Sequence, residues 1–289
     1  MTTRPILVGY DDSPGAKAAA WWALSEGART GTPLQLAYAF EWLPTSTPVA
    51  TPRVWPDDAA REDITAILNA FIDEAAQAHP DVPVTGLILE GPATLTLQEQ
   101  SRHASLVVLG SRGHGGFTGL LVGSTSVAIS GHAHCPVVVV RGVEPGPELR
   151  SGHVVAGVDF SPGSQLALDF AFEQAAGRNV NLHVVRAWMP PNSRWNPPGF
   201  DPEELTVAER VALDELLSRW QAKHPEVKVN SEVIADSPAR CLIEASRNAQ
   251  LVVVGSRGRG GFLGLLLGSV SQQLLHHSHC PVAIVRELP

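Results

Sequence analysis

The chain is written twice. Leu106–Arg141 and Leu251–Arg286 align without a gap, and 23 of the 36 paired positions are identical. The openings match as well: Ile6-Leu7-Val8-Gly9-Tyr10-Asp11-Asp12-Ser13-Pro14-Gly15 stands against Val154-Val155-Ala156-Gly157-Val158-Asp159-Phe160-Ser161-Pro162-Gly163. The period is close to 147 residues, far longer than a solenoid repeat, so the unit repeated is a globular domain. A chain of 289 residues has room for two. The Pro- and Gly-rich run from Gly142 to Ser151 reads as the joint, giving domains over 1–142 and 152–289 with a linker at 143–151.

Each copy alternates short apolar runs with longer amphipathic ones. In the first, Ile6–Gly9, Leu34–Phe40, Val82–Leu89, Leu106–Leu109 and Pro136–Val140 are expected strands. Ser13 reads as a helix N-cap followed by Pro14, opening an Ala-rich helix to about Arg29. Further helices are expected over Ala59–Ala78, Thr94–His103 and from Ser124. Strands alternating with helices predict an α/β fold: a doubly wound parallel sheet in each half, buried on both faces. Ligands of such sheets sit beyond the carboxyl ends of the strands, where the strand order reverses.

The loop after the fourth strand is the chemically informative segment. Its spacing is Gly110-x2-Gly113-x9-Gly123-Ser124, repeated as Gly255-x2-Gly258-x9-Gly268-Ser269. Glycines at a strand end permit positive φ and close approach of backbone to a ligand. Gly-Ser then opens a helix whose free N–H groups attract anions, so the segment reads as a phosphate nest. No Walker A sequence occurs, and no Gly-x-Gly-x-x-Gly follows the first strand. That strand instead exits into Gly9-Tyr10-Asp11 and Gly157-Val158-Asp159, whose carboxylates suit a ribose hydroxyl or a divalent metal. The alternative is a glycine turn that serves only close helix packing; its duplication together with the Asp favours the phosphate reading. Arg112 and Arg257, inside the loops, lean towards the ligand.

Composition excludes several classes. Hydrophobic residues are 44% and charged residues 17%, too apolar for a disordered chain. With 21 basic and 29 acidic side chains the net charge is −8, so diffuse binding to nucleic acid or an anionic membrane is not expected. Three cysteines fit a reducing compartment, and the N-terminus carries no apolar leader, so a cytoplasmic protein without a membrane span is expected.

These motifs, their order along the chain and the Cys135-Pro136-Val137 and Cys280-Pro281-Val282 ends resemble the ATP-binding class of the universal stress proteins, in the tandem form of actinobacteria. The resemblance spans nearly the whole chain. It implies a five-stranded, Rossmann-like parallel sheet per half, ordered 3-2-1-4-5, with ATP and Mg2+ across the first and fourth strand ends. It implies Gly9 and Asp11 near ribose or metal, and Ala39 meeting adenine through its backbone. Gly110 and Gly113 then flank ribose and phosphates, with Gly123, Ser124 and Thr125 on the phosphates. In the second half the corresponding residues are Gly157, Asp159, Ala187, Gly255, Gly258, Gly268, Ser269 and Val270. Asp11 and Asp159 are the metal candidates, by way of ATP-bound Mg2+. Val270 lacks the hydroxyl of Thr125. The resemblance further implies pairing through the last strands, Val137–Arg141 and Val282–Arg286, as an intrachain pseudo-dimer or in a homodimer.

Function divides into two classes. A nucleotide-dependent regulator with a protein partner, in stress or growth control, needs only the binding that the loops provide. An ATPase or nucleotidyl transferase needs a metal, a basic clamp and a group orienting the nucleophile. With no Lys in the loop, at most slow hydrolysis is expected. A flavin-binding electron carrier is the weakest reading, since nothing selects an isoalloxazine.

Other residues have plainer readings. His132, His134 and Cys135, echoed by His276, His277, His279 and Cys280, have short metal-like spacing, but sit where a helix ends and a buried strand begins. Cys241, on a predicted helix, reads as a packed core residue. The long Pro- and Trp-containing segments Glu41–Asp57 and Met189–Pro202, with Trp42, Trp55, Trp188 and Trp195, are either lids over the nucleotide or self-packed surface loops.

Overall fold

A computed structural model describes residues 4–40, 58–113, 122–141, 152–189, 201–259 and 266–287. The expected linker at 143–151, Trp42, Trp55, Trp195 and nearly all of the two long segments lie outside the described residues. The chain forms two compact units, Met1–Cys135 and Pro136–Pro289.

The first unit runs β1 (Ile6–Gly9), α1 (Pro14–Thr30), β2 (Leu34–Phe40), α2 (Asp58–Ala78), β3 (Val84–Glu90), α3 (Ala93–Gln100), β4 (Leu106–Gly110) and α4 (Ser124–His132). Its strands are all parallel, in the order β3-β2-β1-β4. β3 begins two residues later than the apolar run suggests, because Val82 is held in a turn by its N–H bond to the His79 carbonyl.

The second unit begins with β5 (Val137–Val140) and continues β6 (His153–Gly157), α5 (Pro162–Arg178), β7 (Leu182–Ala187), α6 (Pro202–Lys223) and β8 (Val229–Ile234). It closes with α7 (Pro238–Ala245), β9 (Ala249–Gly255), α8 (Ser269–His277) and β10 (Val282–Val285). Five parallel strands lie in the order β8-β7-β6-β9-β10, which is the expected 3-2-1-4-5 arrangement. β5 adds to β10 antiparallel, with Val282 opposite Val139 and Ile284 opposite Val137.

Covered strands are apolar throughout: Leu106 to Leu109 and Val282 to Val285 are all buried. Each Val, Leu or Ile side chain among them contributes roughly 1.5–3 kcal/mol on leaving water. The edge strands β3 and β8 are only partly covered. The Ala-rich α1 lets its backbone lie close to the sheet, burying Ala16, Ala19, Ala20 and Ala23. Ser13 caps α1 by accepting from the Ala16 N–H, and Ser161 caps α5 by accepting from the Ser164 N–H. Gly31 and Asn179 close the other ends in left-handed conformation. Order reverses between β1 and β4 and between β6 and β9, and the glycine loops leave from there.

Candidate functional site

In the second unit the carboxyl ends of β6, β7 and β9 enclose a cavity of about 630 Å³. Gly157, Asp159 and Ala187 line it from the strand exits. Gly255, Gly258 and Gly268 line it from the loop, with Ser269 and Val270 from the first turn of α8. All eight residues singled out in this half thus meet in one place. Arg257 joins them, and so does Trp188, which is 8% exposed.

Asp159 is the hub of the cleft. Its Oδ1 accepts from the Ser161 N–H at 3.0 Å and the Ser161 hydroxyl at 2.5 Å, and its Oδ2 accepts from the Arg259 N–H at 2.8 Å. Burial alone raises its pKa, but these bonds and one from the Ser164 hydroxyl outweigh it and hold the carboxyl below the usual range. The carboxylate therefore stays ionised and pins the glycine loop to the exit of β6.

The first unit repeats this construction. Asp11 accepts from the Ser13 N–H at 3.1 Å and stands directly beside Gly113, where a Cβ would overlap its Oδ2. Gly9 ends β1, Ala39 is the last residue but one of β2, and Gly110 ends β4. Gly123 bonds back to the Ser111 carbonyl at 2.7 Å, setting Ser124 and Thr125 in the first turn of α4. Arg112 is exposed, and its carbonyl accepts from the Ser13 hydroxyl.

Two helix starts in each unit are built differently. The Ser13 and Ser161 hydroxyls cap α1 and α5, whereas α4 and α8 begin at Gly123 and Gly268 with no side-chain cap. A helix start without a side-chain cap leaves its first-turn N–H groups for water or a ligand, and it carries the positive end of the dipole.

The glycines act by proximity, not by φ. Among the described glycines only Gly31 and Gly91 have positive φ, so the expected positive φ is not found at Gly110, Gly113, Gly255 or Gly258. A Cβ at Gly110 would lie 2.5 Å from the Gly15 carbonyl carbon, and one at Gly255 would lie 2.9 Å from that of Gly163. These two glycines serve the close packing of α1 and α5 on the sheet. Gly113 and Gly258 instead make room for the carboxylates.

Left-handed backbone falls elsewhere, at Asp12 (φ 64°) and Phe160 (φ 62°), just after each strand-exit Asp. Sequence reading missed both, and nothing about a Phe announces that conformation. It also missed Ser126 and Ser271, whose hydroxyls donate to the Gly110 and Gly255 carbonyls at 2.7 Å and fasten α4 and α8 to the strands. Their identity in both copies was the available signal.

The Cys-His clusters are structural. The His134 and His279 N–H groups donate to the buried Ser101 and Ser246 hydroxyls, each at 2.9 Å. Burial pushes the Cys135 and Cys280 thiols up to about 12. Among the described residues no three His, Cys, Asp or Glu side chains converge on a metal position. Cys241 departs from its reading as a packed core residue. It is half-buried and faces a second groove of about 580 Å³, with His153, His183 and Glu232.

Two α/β units, each closing a glycine loop and a strand-exit Asp over the switch point of its sheet, define a tandem doubly wound protein. The chain belongs to the universal stress protein family, which residues 2–141 and 151–286 each match. A universal stress protein of Mycobacterium tuberculosis is 39% identical over 290 residues, covering 98% of this chain and 96% of the relative. Another from the same organism is 36% identical over 288 residues, covering 98% and 97%. The crystal structure of a universal stress protein from Archaeoglobus fulgidus has the same fold, with a TM-score of 0.69 at 18% identity, and covers 99% of both chains. Among the described residues no helix is long and apolar enough to cross a membrane.

Proposed function

We propose that each half of this universal stress protein binds an adenine nucleotide, ATP arriving with Mg2+, and that the chain is a nucleotide-dependent regulator read by a protein partner. The observation carrying this reading is the convergence of the Asp159 hub, the glycine loop and the start of α8, which lacks a side-chain cap, on one cavity of about 630 Å³. That volume lies within the roughly 300–1,000 Å³ of small-molecule sites. The first turn of α8, with the Ser269 hydroxyl, supplies donors for phosphate. Ala187 offers backbone at the end of β7 for the base, against the Trp188 wall.

The residues fit a metal that travels with the ligand. Asp159 Oδ1 already accepts from Ser161 at the start of α5 and Oδ2 from Arg259 in the loop, so this carboxylate suits a ribose hydroxyl on a remaining lone pair. Mg2+ would be held mainly through the phosphates, where it neutralises their charge. Among the described residues no lysine lines the cavity to clamp a transferring phosphoryl group. Hydrolysis on this reading is slow, far below the roughly 1–1,000 per second of ordinary enzymes. The domains proposed for the two sites are 1–142 and 152–289.

Mass spectrometry of small molecules released from freshly purified protein tests this reading, followed by titration of the stripped chain with Mg-ATP. ATP recovered intact and a stoichiometry near two per chain are expected. Recovery of a flavin, or no heat on titration, would overturn it. Steady multiple turnover at ordinary enzymatic rates would favour the alternative of an ATPase or nucleotidyl-transfer enzyme.

A further inference from the structure

The two clefts differ at one corner. In the second unit Phe160 holds a left-handed φ of 62°, a strained choice for a bulky side chain. Two guanidinium groups lie over its ring: Arg186 at 5.1 Å and Arg259 at 5.2 Å from the centroid. Both arginines line the cavity. Arg186 is spoken for: its Nε donates to Glu209 at 2.7 Å and its Nη1 donates to the Ala187 carbonyl at 2.8 Å. Its charge is balanced, and its work is to hold the ring and the end of β7. Arg259 follows Gly258 in the loop, and its backbone N–H is bound to Asp159. Among the described residues no carboxylate pairs with its guanidinium. It is an exposed cation stacked on the Phe160 ring, and it lines the same cavity as Gly268 and Ser269.

The first unit puts different chemistry there. Asp12 takes the place of Phe160, also left-handed at 64°. It pairs with Lys17 at 2.9 Å and accepts from the Tyr10 hydroxyl at 3.2 Å. Tyr38 takes the place of Arg186. The partner position of Arg259, residue 114, is a histidine outside the described residues. Where the second unit stacks a cation on the ring at the cavity, the first holds a carboxylate paired with a lysine.

Resting on the nucleotide reading above, we propose that the second half selects nucleotides by phosphate number, preferring a nucleoside triphosphate over the monophosphate, through Arg259 stacked on Phe160. The first half binds by its backbone nest with little such preference. A guanidinium fixed beside a chain of phosphates gains with each added charge and loses little entropy on binding, because the ring already positions it. At the first half's corner the Asp12–Lys17 pair cancels, and the difference in charge between ATP and AMP is not read.

The test is calorimetric titration of the nucleotide-stripped full chain with ATP and, separately, AMP. Wild type should show two ATP sites differing by about tenfold or more, the scale of one charge-assisted hydrogen bond. Its two AMP sites should be nearly alike. Arg259→Ala should weaken only the tighter ATP site, by about tenfold, and reduce its salt dependence, with AMP changed by no more than about twofold. Arg259→Lys, which keeps charge and loses the planar stack, should fall between. AMP binding at unchanged stoichiometry shows that the variants are folded. Equal ATP sites in wild type, or loss of ATP and AMP together in Arg259→Ala, would overturn the selectivity while nucleotide binding stands. Absence of binding by either nucleotide in wild type would overturn both.

Discussion

The Asp159 carboxylate fills the space that a side chain on Gly258 would need, and Asp11 stands in the same relation to Gly113. Each glycine is thus the half of a contact that its Asp completes, across 99 residues in one unit and 102 in the other.

Gly258→Ala sets a methyl against Asp159 Oδ2 and must displace either the carboxylate or the loop. Since the loop is exposed, the cost falls on the site more than on the fold. The expected outcome is at least about tenfold weaker ATP binding in the second half, corresponding to about 1.4 kcal/mol. Titration of Gly258→Ala, Gly113→Ala and the double variant checks this, with circular dichroism unchanged. Wild-type affinity in the double variant would remove the Asp–Gly contact from the site.

Gly110→Ala and Gly255→Ala should behave differently. Their Cβ atoms would meet helix backbone, which cannot swing aside. Overpacking of this kind costs about 1–3 kcal/mol. The loss should be larger at Gly110, where the contact is 2.5 Å, than at Gly255, where it is 2.9 Å. Urea unfolding of the stripped protein measures both; an unchanged midpoint for Gly110→Ala would contradict the packing account.

Mild acid should weaken the second unit at the amino-terminal end of its sheet. His153 has a lowered pKa, first from burial and then from the neighbouring His183, whose ring lies edge-on at 5.5 Å and bonds Glu232 at 2.9 Å. A histidine depressed in the folded state binds fewer protons there than when unfolded. Its contribution is therefore present above the unfolded value near 6.5 and lost as pH falls below it. Between pH 7.5 and 5.5 the wild-type urea midpoint should fall more than that of His153→Gln. Parallel pH profiles would show that His153 does not contribute.

Thiol chemistry should single out Cys241. Cys135 and Cys280 are buried with thiols pushed up to about 12, so almost no thiolate is present near neutrality. Cys241 is half-buried and raised less, first by burial and then by Asp236. Intact-mass analysis after iodoacetamide at pH 8 should show one slow addition to the folded chain. Rapid addition of three labels would contradict the burial of the Cys-Pro ends.

Much of the scaffold was legible because its signals are local. Leu106–Leu109 is an unbroken apolar run, and strands buried on both faces need one. Ser-Pro at residues 13–14 and 161–162 states a helix start in two letters. The site was legible as a set of residues, because the repeat marked them twice. What each residue does was not. Gly110 and Gly113 look alike in sequence, yet one answers to a helix backbone and the other to a carboxylate. The stack of Arg186 and Arg259 on Phe160 joins residues 26 and 99 positions away from it, and depends on a left-handed turn that a Phe does not advertise.

Helix α8 opens on a glycine and helix α5 on a serine, and the two therefore have different authors for their first turn. The Ser161 hydroxyl travels with the chain, so α5 is finished as soon as it folds. α8 has no side-chain cap, and on the proposed reading its opening amides are completed by the nucleotide's phosphates. Amide hydrogen exchange should see that difference directly: rapid at residues 269–271 in the stripped protein, slowed by nucleotide, and indifferent to nucleotide at Ser164. On the proposed reading the ligand is in this sense a removable piece of secondary structure, and the protection of one helical turn is the form in which its presence is felt in the fold.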